Sequence, residues 1–509
     1  MSSIPHEVPV LTPWRRGMIL ATVTTATAMV AMAVTIANVS LPQIQGALST
    51  TQEQIAWIVT FNIVATAVGT PMTGWLAARF GRRRVMLYGV FGFTVATFLC
   101  GIAGGLAELV VYRVIQGFFA APLVPLAQAI VLDSYPQERH GFATTIYGMG
   151  VVMGPIFAPT IGGYLSEFYG WRWVFFMVVP IGILCFGGVF MFIKDRLDLP
   201  RTRLDWTGFL ALSVTLACFQ LMLDRGERNS WFESTEIIVE AALVLGALYV
   251  FVVHTATARN PFLSPQILRD RNFVVGLCIA LVFGMLSFTP LVLFPTMLQD
   301  LQGYPDSIIG WLLGARAIGT LLGFVIMYFG SQLDPRIWLT IGFGVQVLAG
   351  LRMSQFHVDV PTFDVAFVSA LQGLGTGLLW VPITLVTFAT LSPALRAEGM
   401  ALFHLLRNIG GSIHISLSVA IVVHMARVNY AELSEHVTPY SEMFGYPEVA
   451  GQWAIDSTAG VATLASEISR QAAMVGYVNA FLIYGLTGLA VLPLIALVRF
   501  RHVKPAAET

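Results

Sequence analysis

Fourteen long apolar stretches constrain this 509-residue chain more than any other feature of its sequence. A helix needs about 20 mostly apolar residues to cross a bilayer, and each stretch is close to that length. Only helices and closed barrels satisfy their backbone hydrogen bonds inside lipid, and these lengths fit helices. Hydrophobic residues make up 56% of the chain and charged residues 11%, against about 25% charged in soluble domains. The sequence therefore predicts an all-α polytopic membrane protein with spans at 17–38, 53–76, 84–103, 106–132, 142–165, 173–193, 205–223, 236–255, 273–298, 308–329, 337–353, 363–388, 399–425 and 477–499.

The distribution of arginine and lysine predicts the orientation of these spans. With the N-terminus in the cytoplasm, the cytoplasmic tails and loops hold 19 of the 28 basic residues and the outer side holds 6. The other three, Arg113, Arg316 and Arg407, lie inside spans. Such an excess is typical of cytoplasmic loops. We therefore expect a multi-pass protein with cytoplasmic tails at 1–16 and 500–509.

Composition also argues against several functions. The net charge is zero, and the basic residues follow the inner face without forming a patch, which argues against nucleic acid as a partner. The four cysteines lie scattered in apolar spans, in neither a disulfide nor a zinc pattern. No nucleophile, metal set or cofactor loop accompanies His404, so a membrane enzyme using this histidine has little support. The sequence predicts no metal, no cofactor and no enzymatic activity.

The spans divide into two groups of six, with two spans inserted between the groups. Gln116-Gly117 in the fourth span is repeated as Gln372-Gly373 in the fourth span of the second group. Fainter copies relate the loops after the second span of each group and the turns before the fifth. Weak internal symmetry of this kind is typical of secondary transporters, whose substrate sites lie between the repeats. We therefore expect an N-terminal six-helix bundle at 17–193, inserted spans at 194–255 and a C-terminal six-helix bundle at 256–499.

An acidic outer loop at 427–475 separates the last two spans. Near its end, Leu464, Ile468, Ala472 and Val475 recur at helical spacing. Two interpretations are open, a helix that lies on the membrane surface and an element that docks an external partner.

Charged and titratable residues inside spans are the first candidates for function. A guanidinium keeps its proton at membrane depth and is costly there, so Arg113 is expected to be functional. Arg316 and Arg407 each have two interpretations, a structural arginine bonded to carbonyls or a substrate contact. His404 and His414 share the thirteenth span, and each is either a proton carrier or hydrogen-bonded to a neighbour. The predicted coupling and substrate cavity comprises Arg113, Gln116, Arg316, Arg407 and His404.

Acidic residues are absent from the depths of all fourteen predicted spans. Those near the span ends are interpreted as solvated boundary residues. They include Glu108, Asp133, Asp205, Asp300 and Glu398.

The fifth span carries a ridge of small residues at four-residue intervals, Gly150, Gly154, Ala158 and Gly162. On a helix they form one smooth face that admits a neighbouring backbone. Two prolines beside the ridge, Pro155 and Pro159, remove helical hydrogen bonds and favour a bend. We interpret the ridge as a moving contact, with simple packing as the alternative.

Two of these features resemble known motifs. Gly154 to Gly163 is similar to the antiporter motif GxxxGPxxGG, with alanine in place of one glycine. Arg113 to Gly117 is similar to a fourth-span motif RxxQG, whose arginine the resemblance implicates in proton coupling.

Further segments extend the resemblance over nearly the whole chain. Gly74 to Arg84 resembles a cytoplasmic loop motif, and Thr35 to Pro42 resembles a first-span signature. Leu223 to Gly226 and Arg470 to Ala472 also match. Together with the span count, these segments resemble the fourteen-span drug:proton antiporters of the EmrB/QacA type in the major facilitator superfamily. The matching motif residues are Thr35, Asn38, Pro42, Gly74, Arg79, Gly81, Arg82 and Gly163.

The resemblance implies a major facilitator fold and export by alternating access, driven by protons. It implies hydrophobic, drug-like substrates, a bacterial inner membrane location, and partnership with a periplasmic adaptor protein and an outer-membrane channel. No cofactor is implied.

Two positions depart from the family pattern. The loop motif usually has aspartate where this chain has Ala78, and the first-span acid of the family is Ala33 here. Three arginines without a deep acid favour neutral or weakly acidic cargo over lipophilic cations. The alternative is a transporter-fold protein that has lost coupling and acts as a sensor or assembly partner.

Overall fold

The computed structural model describes residues 12–194, 203–330, 333–392, 395–437, 453 and 457–498. For the motif residues Asn38, Pro42, Pro159 and Gly163, only the helical backbone is described. Within these ranges the chain is α-helical, and short 3₁₀ turns and loops connect the helices. The helices are α1 Pro13–Val39, α2 Leu41–Leu48, α3 Gln52–Gly69, α4 Met72–Phe80, α5 Arg82–Ile102, α6 Leu106–Ala120, α7 Leu123–Ser134, α8 His140–Tyr169, α9 Arg172–Phe176, α10 Val178–Phe192, α11 Trp206–Arg225, α12 Thr235–Thr257, α13 Arg271–Gln302, α14 Asp306–Gly330, α15 Pro335–Met353, α16 Thr362–Phe388, α17 Arg396–Glu435, α18 Thr458–Ala490 and α19 Leu492–Ala496.

Every predicted span falls on one helix or on two consecutive helices. In the described part of the chain, 11 helical segments are long and apolar enough to cross a membrane, and up to 12 if the bent pair α3–α4 counts as one span. The fifth and eleventh predicted spans lie on α8 and α15, which are outside that set. The all-α polytopic architecture is therefore confirmed, whereas fourteen crossings remain a prediction.

Prolines explain where four spans break into two helices. A proline lacks the N–H that would continue the helical hydrogen bonds. Pro71 precedes α4, where the axis turns by 55°, and Pro122 precedes α7. Pro180 lies at the start of α10 and Pro493 at the start of α19.

The helices form two halves, each with its own apolar core, and the cores meet where Ala129 and Leu132 of α7 pack with the C-terminal half. Helices α1–α10 form the N-terminal half and α13–α19 the C-terminal half. The inserted helix α11 contacts both halves. Asp224 near its end accepts a hydrogen bond from Thr60 on α3, and Ser412 on α17 donates to Gln220 at 2.9 Å.

The two halves repeat the same helix crossings at glycine. A Cβ added at Gly154 on α8 would lie 2.4 Å from the carbonyl oxygen of Ala28 on α1, and one at Gly410 on α17 would lie 2.1 Å from that of Leu281 on α13. Backbones this close leave no room for a side chain. The equivalent crossings confirm the internal repeat that the sequence predicts.

A second pair of helix crossings also brings a glycine close to a backbone carbonyl in each half. A Cβ added at Gly117 on α6 would lie 2.4 Å from the carbonyl oxygen of Asn62 on α3, and one at Gly373 on α16 would lie 1.9 Å from that of Arg316 on α14. Gln116 and Gln372 each precede the crossing glycine. Asn62 and Arg316 therefore occupy equivalent places in the two halves.

The predicted outer loop is shorter than expected. Helix α17 continues to Glu435, and α18 begins at Thr458 and runs without a break into the last span. The interpretation of 464–475 as a helix lying on the membrane surface is therefore wrong. No proline interrupts 458–490 and alanines recur there, so the helix continues out of the span. Residues 438–452 and 454–456 of this loop lie outside the described residues.

Candidate functional site

Arg113 is 1% exposed on α6 and bonds within its own half. Its Nε donates to the carbonyl of Ile58 on α3 at 3.3 Å, and its Nη1 donates to Oε1 of Gln116 at 2.5 Å. Gln116 in turn donates to Thr97 on α5 at 2.7 Å. In the part of the chain that the structure describes, Nη2 has no partner and no ion pair involves this arginine. Arg113 and Gln116 therefore face α3 and α5.

Ala33 lies in the core of the N-terminal half and is 1% exposed. Its neighbours in that core are apolar, among them Met32 and Ile36. The position where related transporters carry a first-span acid is therefore closed and apolar in this chain. The first-span Thr35 donates to the carbonyl of Ala31 in its own helix at 3.0 Å.

Arg316 occupies a polar cluster inside the C-terminal half. Its Nη2 donates to the carbonyl of Ser287 on α13 at 2.5 Å, and its buried Nη1 has no partner among the described residues. Gln372 donates to the hydroxyl of Tyr484 at 3.2 Å, and that hydroxyl donates to Gln346 at 2.5 Å. The bond to a carbonyl is the geometry that the structural interpretation of this arginine requires.

His414 belongs to the same half. Its Nδ1 lies 2.8 Å from the hydroxyl of Thr289 and 3.3 Å from that of Ser418, and its Nε2 lies 3.4 Å from that of Thr487. The ring is buried among three hydroxyls. Of the two interpretations of His414 from the sequence, this arrangement corresponds to a histidine that is hydrogen-bonded to its neighbours.

Arg407 and His404 lie where the two halves meet. The guanidinium carbon of Arg407 is 5.0 Å from the ring centre of Trp380 and 5.5 Å from that of Phe288. His404, one turn earlier on α17, bonds through Nε2 to Oε1 of Gln128 on α7 at 2.7 Å. The five residues predicted to line one cavity thus lie in three places, two inside the halves and one between them.

Ionic contacts also join the halves at the end where α7 finishes and α17 begins, which is the predicted cytoplasmic end. Asp133 on α7 binds Arg82 on α5 of its own half and Arg396 on α17, the latter at 2.8 Å. Its side chain is 9% exposed. The interpretation of Asp133 as a solvated boundary residue is therefore wrong, because two arginines stabilise its charge inside the contact.

The cytoplasmic loop motif lies at the same contact. A Cβ added at Gly74 would lie 2.9 Å from the Cβ of Glu398, so glycine allows α17 to approach α4. Glu398 accepts from the backbone N–H of Ser264 at 2.6 Å, so it too is an anchored acid and not a solvated one. Gly81 adopts a φ of 83° between α4 and α5, a value that favours glycine. Arg79 is exposed.

The ridge of α8 packs on α1 of the same half. A Cβ added at Gly150 would lie 2.1 Å from Cγ2 of Thr24, and one at Gly162 would lie 2.3 Å from Cγ1 of Ile36. Ala158 is fully buried, and α8 stays one helix through Pro155. The ridge therefore fixes how closely α1 and α8 approach.

Sequence reasoning missed three residues, Gln128, Trp380 and Glu240, and assigned the wrong role to a fourth, Asp133. Gln128, Trp380 and Asp133 matter through contacts with residues far along the chain, although Gln128 is a lone amide in a very apolar stretch and could have been noticed. Glu240 was overlooked as a buried acid on α12, and its Oε2 has no partner in the described ranges. In the same ranges, no group of three histidine, cysteine or acidic residues could hold a metal ion.

The repeated halves, the α1–α8 ridge and the arginines inside the spans together are typical of a secondary transporter. Residues 23–414 match the family model of the Major Facilitator Superfamily. The chain is 35% identical over 458 residues to the multidrug export protein EmrB of Haemophilus influenzae, covering 89% of each chain. It therefore belongs to the Major Facilitator Superfamily, in the drug:proton antiporter family that includes EmrB.

Other comparisons agree. The chain is 31% identical over 470 residues to the fatty acid resistance protein FarB of Neisseria gonorrhoeae, covering 91% of this chain and 92% of FarB. The solved structure of the proton:xylose symporter XylE matches with a TM-score of 0.64 at 11% identity and covers 95% of each chain. The likeness to XylE shows the fold alone.

Proposed function

We propose that this protein is a proton-coupled exporter of hydrophobic, drug-like or weakly acidic small molecules in the bacterial inner membrane. The observation that carries the proposal is the set of three arginines in the spans, none of which forms an ion pair among the described residues. Unpaired cations at this depth attract anionic or acidic groups and repel cations. The names of two relatives, a multidrug export protein and a fatty acid resistance protein, are consistent with such cargo.

Alternating access is supported by where the halves touch. Asp133–Arg396 and Gln128–His404 join them at the predicted cytoplasmic end. Breaking these contacts would open the space between the halves towards that side. The described conformation therefore corresponds to the state closed to the cytoplasm, in which cargo leaves.

The proposed orientation is supported by the basic residues at the same end. Arg82, Arg139 and Arg396 lie at helix junctions on one end of the protein. If that end faces the cytoplasm, both termini are cytoplasmic. On the opposite side, α17 and α18 extend beyond their predicted spans and offer an element for a periplasmic adaptor protein and, through it, an outer-membrane channel.

Proton coupling must work without the first-span acid. His404 is the proposed proton carrier, because it is 2% exposed and its Nδ1 has no partner in the described residues. Histidine is the side chain whose unperturbed pKa lies closest to physiological pH. Arg113 holds α3 and α6 together and is proposed to transmit the coupling.

The decisive experiment uses purified protein in lipid vesicles with an imposed pH gradient. We expect gradient-driven transport of a hydrophobic weak acid by the native protein, and a loss of at least tenfold in Arg113→Ala. Ala33→Asp tests whether a first-span acid changes the cargo towards cations. Arg352→Gln, which removes an exposed arginine at the end of α15, is the matched control and should transport as the native protein does. Transport that ignores the gradient, or that survives in Arg113→Ala, contradicts the proposal.

A further inference from the structure

The contact between the halves contains an aromatic pair around a single guanidinium. Trp380 on α16 lies against the N-terminal half, since its Cδ1 would be 3.3 Å from a Cβ added at Gly148 on α8. The ring centre of Phe288 on α13 lies 5.5 Å from the guanidinium carbon of Arg407. Arg407, Trp380 and Phe288 are each partly exposed although they lie on the interior faces of their helices. They therefore line accessible space between the halves.

Hydrogen-bond donors in this space are left open. Nε of Arg407 and Nε1 of Trp380 are buried and have no partner among the described residues. Among the described residues, the guanidinium of Arg407 donates one hydrogen bond. It is a long one, 3.4 Å from Nη2 to Oδ1 of Asn408. A buried donor without an acceptor is unfavourable, so two of them on neighbouring side chains indicate a place for an acceptor that is supplied from outside.

The chemistry of the acceptor follows from the charge of its surroundings. In the described part of the chain, no carboxylate forms an ion pair with Arg407, whereas Asp133 neutralises the arginines at the cytoplasmic end. Carboxylates are the partners that a guanidinium binds most strongly. The faces of Trp380 and Phe288 are suited to an apolar body attached to such a group.

The other two arginines in the spans lie inside the halves and not between them. Arg113 is enclosed in the N-terminal half and bonds to Ile58 and Gln116. Arg316 bonds to the carbonyl of Ser287 inside the C-terminal half. Arg407 alone among the three lies between the halves.

We infer that Arg407 and the indole N–H of Trp380 bind the negatively charged head of a hydrophobic organic anion, whose body packs on Trp380 and Phe288. This inference rests on the proposed export function and names the group by which cargo is recognised. His404 lies one turn from Arg407 and bonds to the opposite half. An anion at Arg407 is thus held next to the contact that must break for the cytoplasmic side to open.

Direct binding tests this site without transport. The probes are 2-naphthoate and its neutral amide, 2-naphthamide, measured by equilibrium dialysis against purified protein in lipid nanodiscs. We expect the native protein to bind the carboxylate at least tenfold more tightly than the amide. Arg407→Gln should remove this preference and leave amide binding unchanged. Arg352→Gln removes the same charge elsewhere and should keep the preference.

A second variant keeps the test informative if Arg407→Gln misfolds. Trp380→Phe keeps the ring and removes the N–H, so it should weaken binding of 2-naphthoate several-fold and leave 2-naphthamide unaffected. Equal binding of the two probes by the native protein, binding of neither, or a full preference in both variants overturns the site. A native protein that shows the preference but ignores a pH gradient contradicts the proposed function and leaves the site standing.

Discussion

His404 of the C-terminal half donates from Nε2 to Oε1 of Gln128 in the N-terminal half, at 2.7 Å. The amide nitrogen of Gln128 donates to the hydroxyl of Thr384 at 3.1 Å, so its oxygen is the atom that accepts. The imidazole therefore carries its hydrogen on Nε2, and Nδ1 presents a lone pair. This hydrogen bond is thus one of the contacts that join the halves at the predicted cytoplasmic end, and it orients the ring that is proposed to take up a proton.

Neutralising Asp133 should loosen the contact between the halves. Asp133→Asn removes the charge that holds Arg82 and Arg396, so a state in which the halves are apart at this end becomes more populated. Spin labels at Glu138 and Leu333, in a background without the native cysteines, report the distance across this end. We expect a longer and broader distance distribution.

Asp300→Asn is the control for that measurement. Asp300 is exposed near the C-terminal end of α13, far from the contact at Asp133. This variant should leave the distribution as in the native protein. An unchanged distribution in Asp133→Asn would show that the ion pairs do not hold the halves together.

A methyl group at the α1–α8 crossing should destabilise the protein. In Gly154→Ala the new Cβ meets the backbone carbonyl of Ala28, which cannot rotate away. Overpacking of this kind costs about 1–3 kcal/mol. We expect a lower unfolding temperature of the purified protein in detergent. Gly187→Ala adds the same methyl where no atom lies within 4 Å, and it should unfold as the native protein does.

Replacing Gln116 should remove one of the two hydrogen bonds of the Arg113 guanidinium. Gln116→Leu removes the acceptor of Nη1 and the donor to Thr97, leaving buried polar atoms unpaired. The expected cost is about 1–3 kcal/mol of stability. Thermal unfolding measures it, with Gln299→Leu on an exposed surface of α13 as the control. Equal stability of the two variants contradicts the assigned network.

Asp205 connects the two inserted helices, and this connection should depend on pH. Its carboxylate accepts hydrogen bonds from the backbone N–H groups of Gly208 and Phe262 and from His254. Burial alone would raise the pKa of Asp205, but these donors lower it below its ordinary value of 3.8. The stabilisation is therefore complete above the unfolded-state pKa and is lost as the pH falls through the lower pKa of the folded state.

The measurement for Asp205 is thermal unfolding as a function of pH. Asp205→Ala should lower stability by about 1 kcal/mol near neutral pH, because the helix cap of α11 is lost. The difference from the native protein should shrink in acid, where the native carboxylate is protonated. A difference that stays constant down to the lowest accessible pH would show that the charge of Asp205 contributes nothing.

Length and apolarity were sufficient to predict the helices, because lipid allows few alternatives. The breaks at Pro71 and Pro122 follow from a local rule and could also have been predicted. The extent of α18 was not predicted. The loss of apolar character near Glu467 indicates the end of a span, but the helix continues through this region.

Contacts between the halves are beyond a single sequence. Asp133 and Arg396 are 263 residues apart, and no periodicity connects them. Near a span end, an acid that will be paired has the same local pattern as one that will be solvated. The structure separates the two cases by burial, which depends on the packing of both halves.

The equivalence of Asn62 and Arg316 has a consequence for how such chains diverge after duplication. Each half contains one guanidinium beside its glycine crossing, yet the N-terminal half supplies it from α6 and the C-terminal half from α14. Arg113 bonds to the carbonyl of Ile58 on α3, whereas Arg316 bonds to that of Ser287 on α13, so the repeat of the backbone crossing does not extend to the partners of the charge beside it. A search for coupling residues in remote homologues should therefore examine each half by itself, since the repeat of the backbone does not predict where its charges bond.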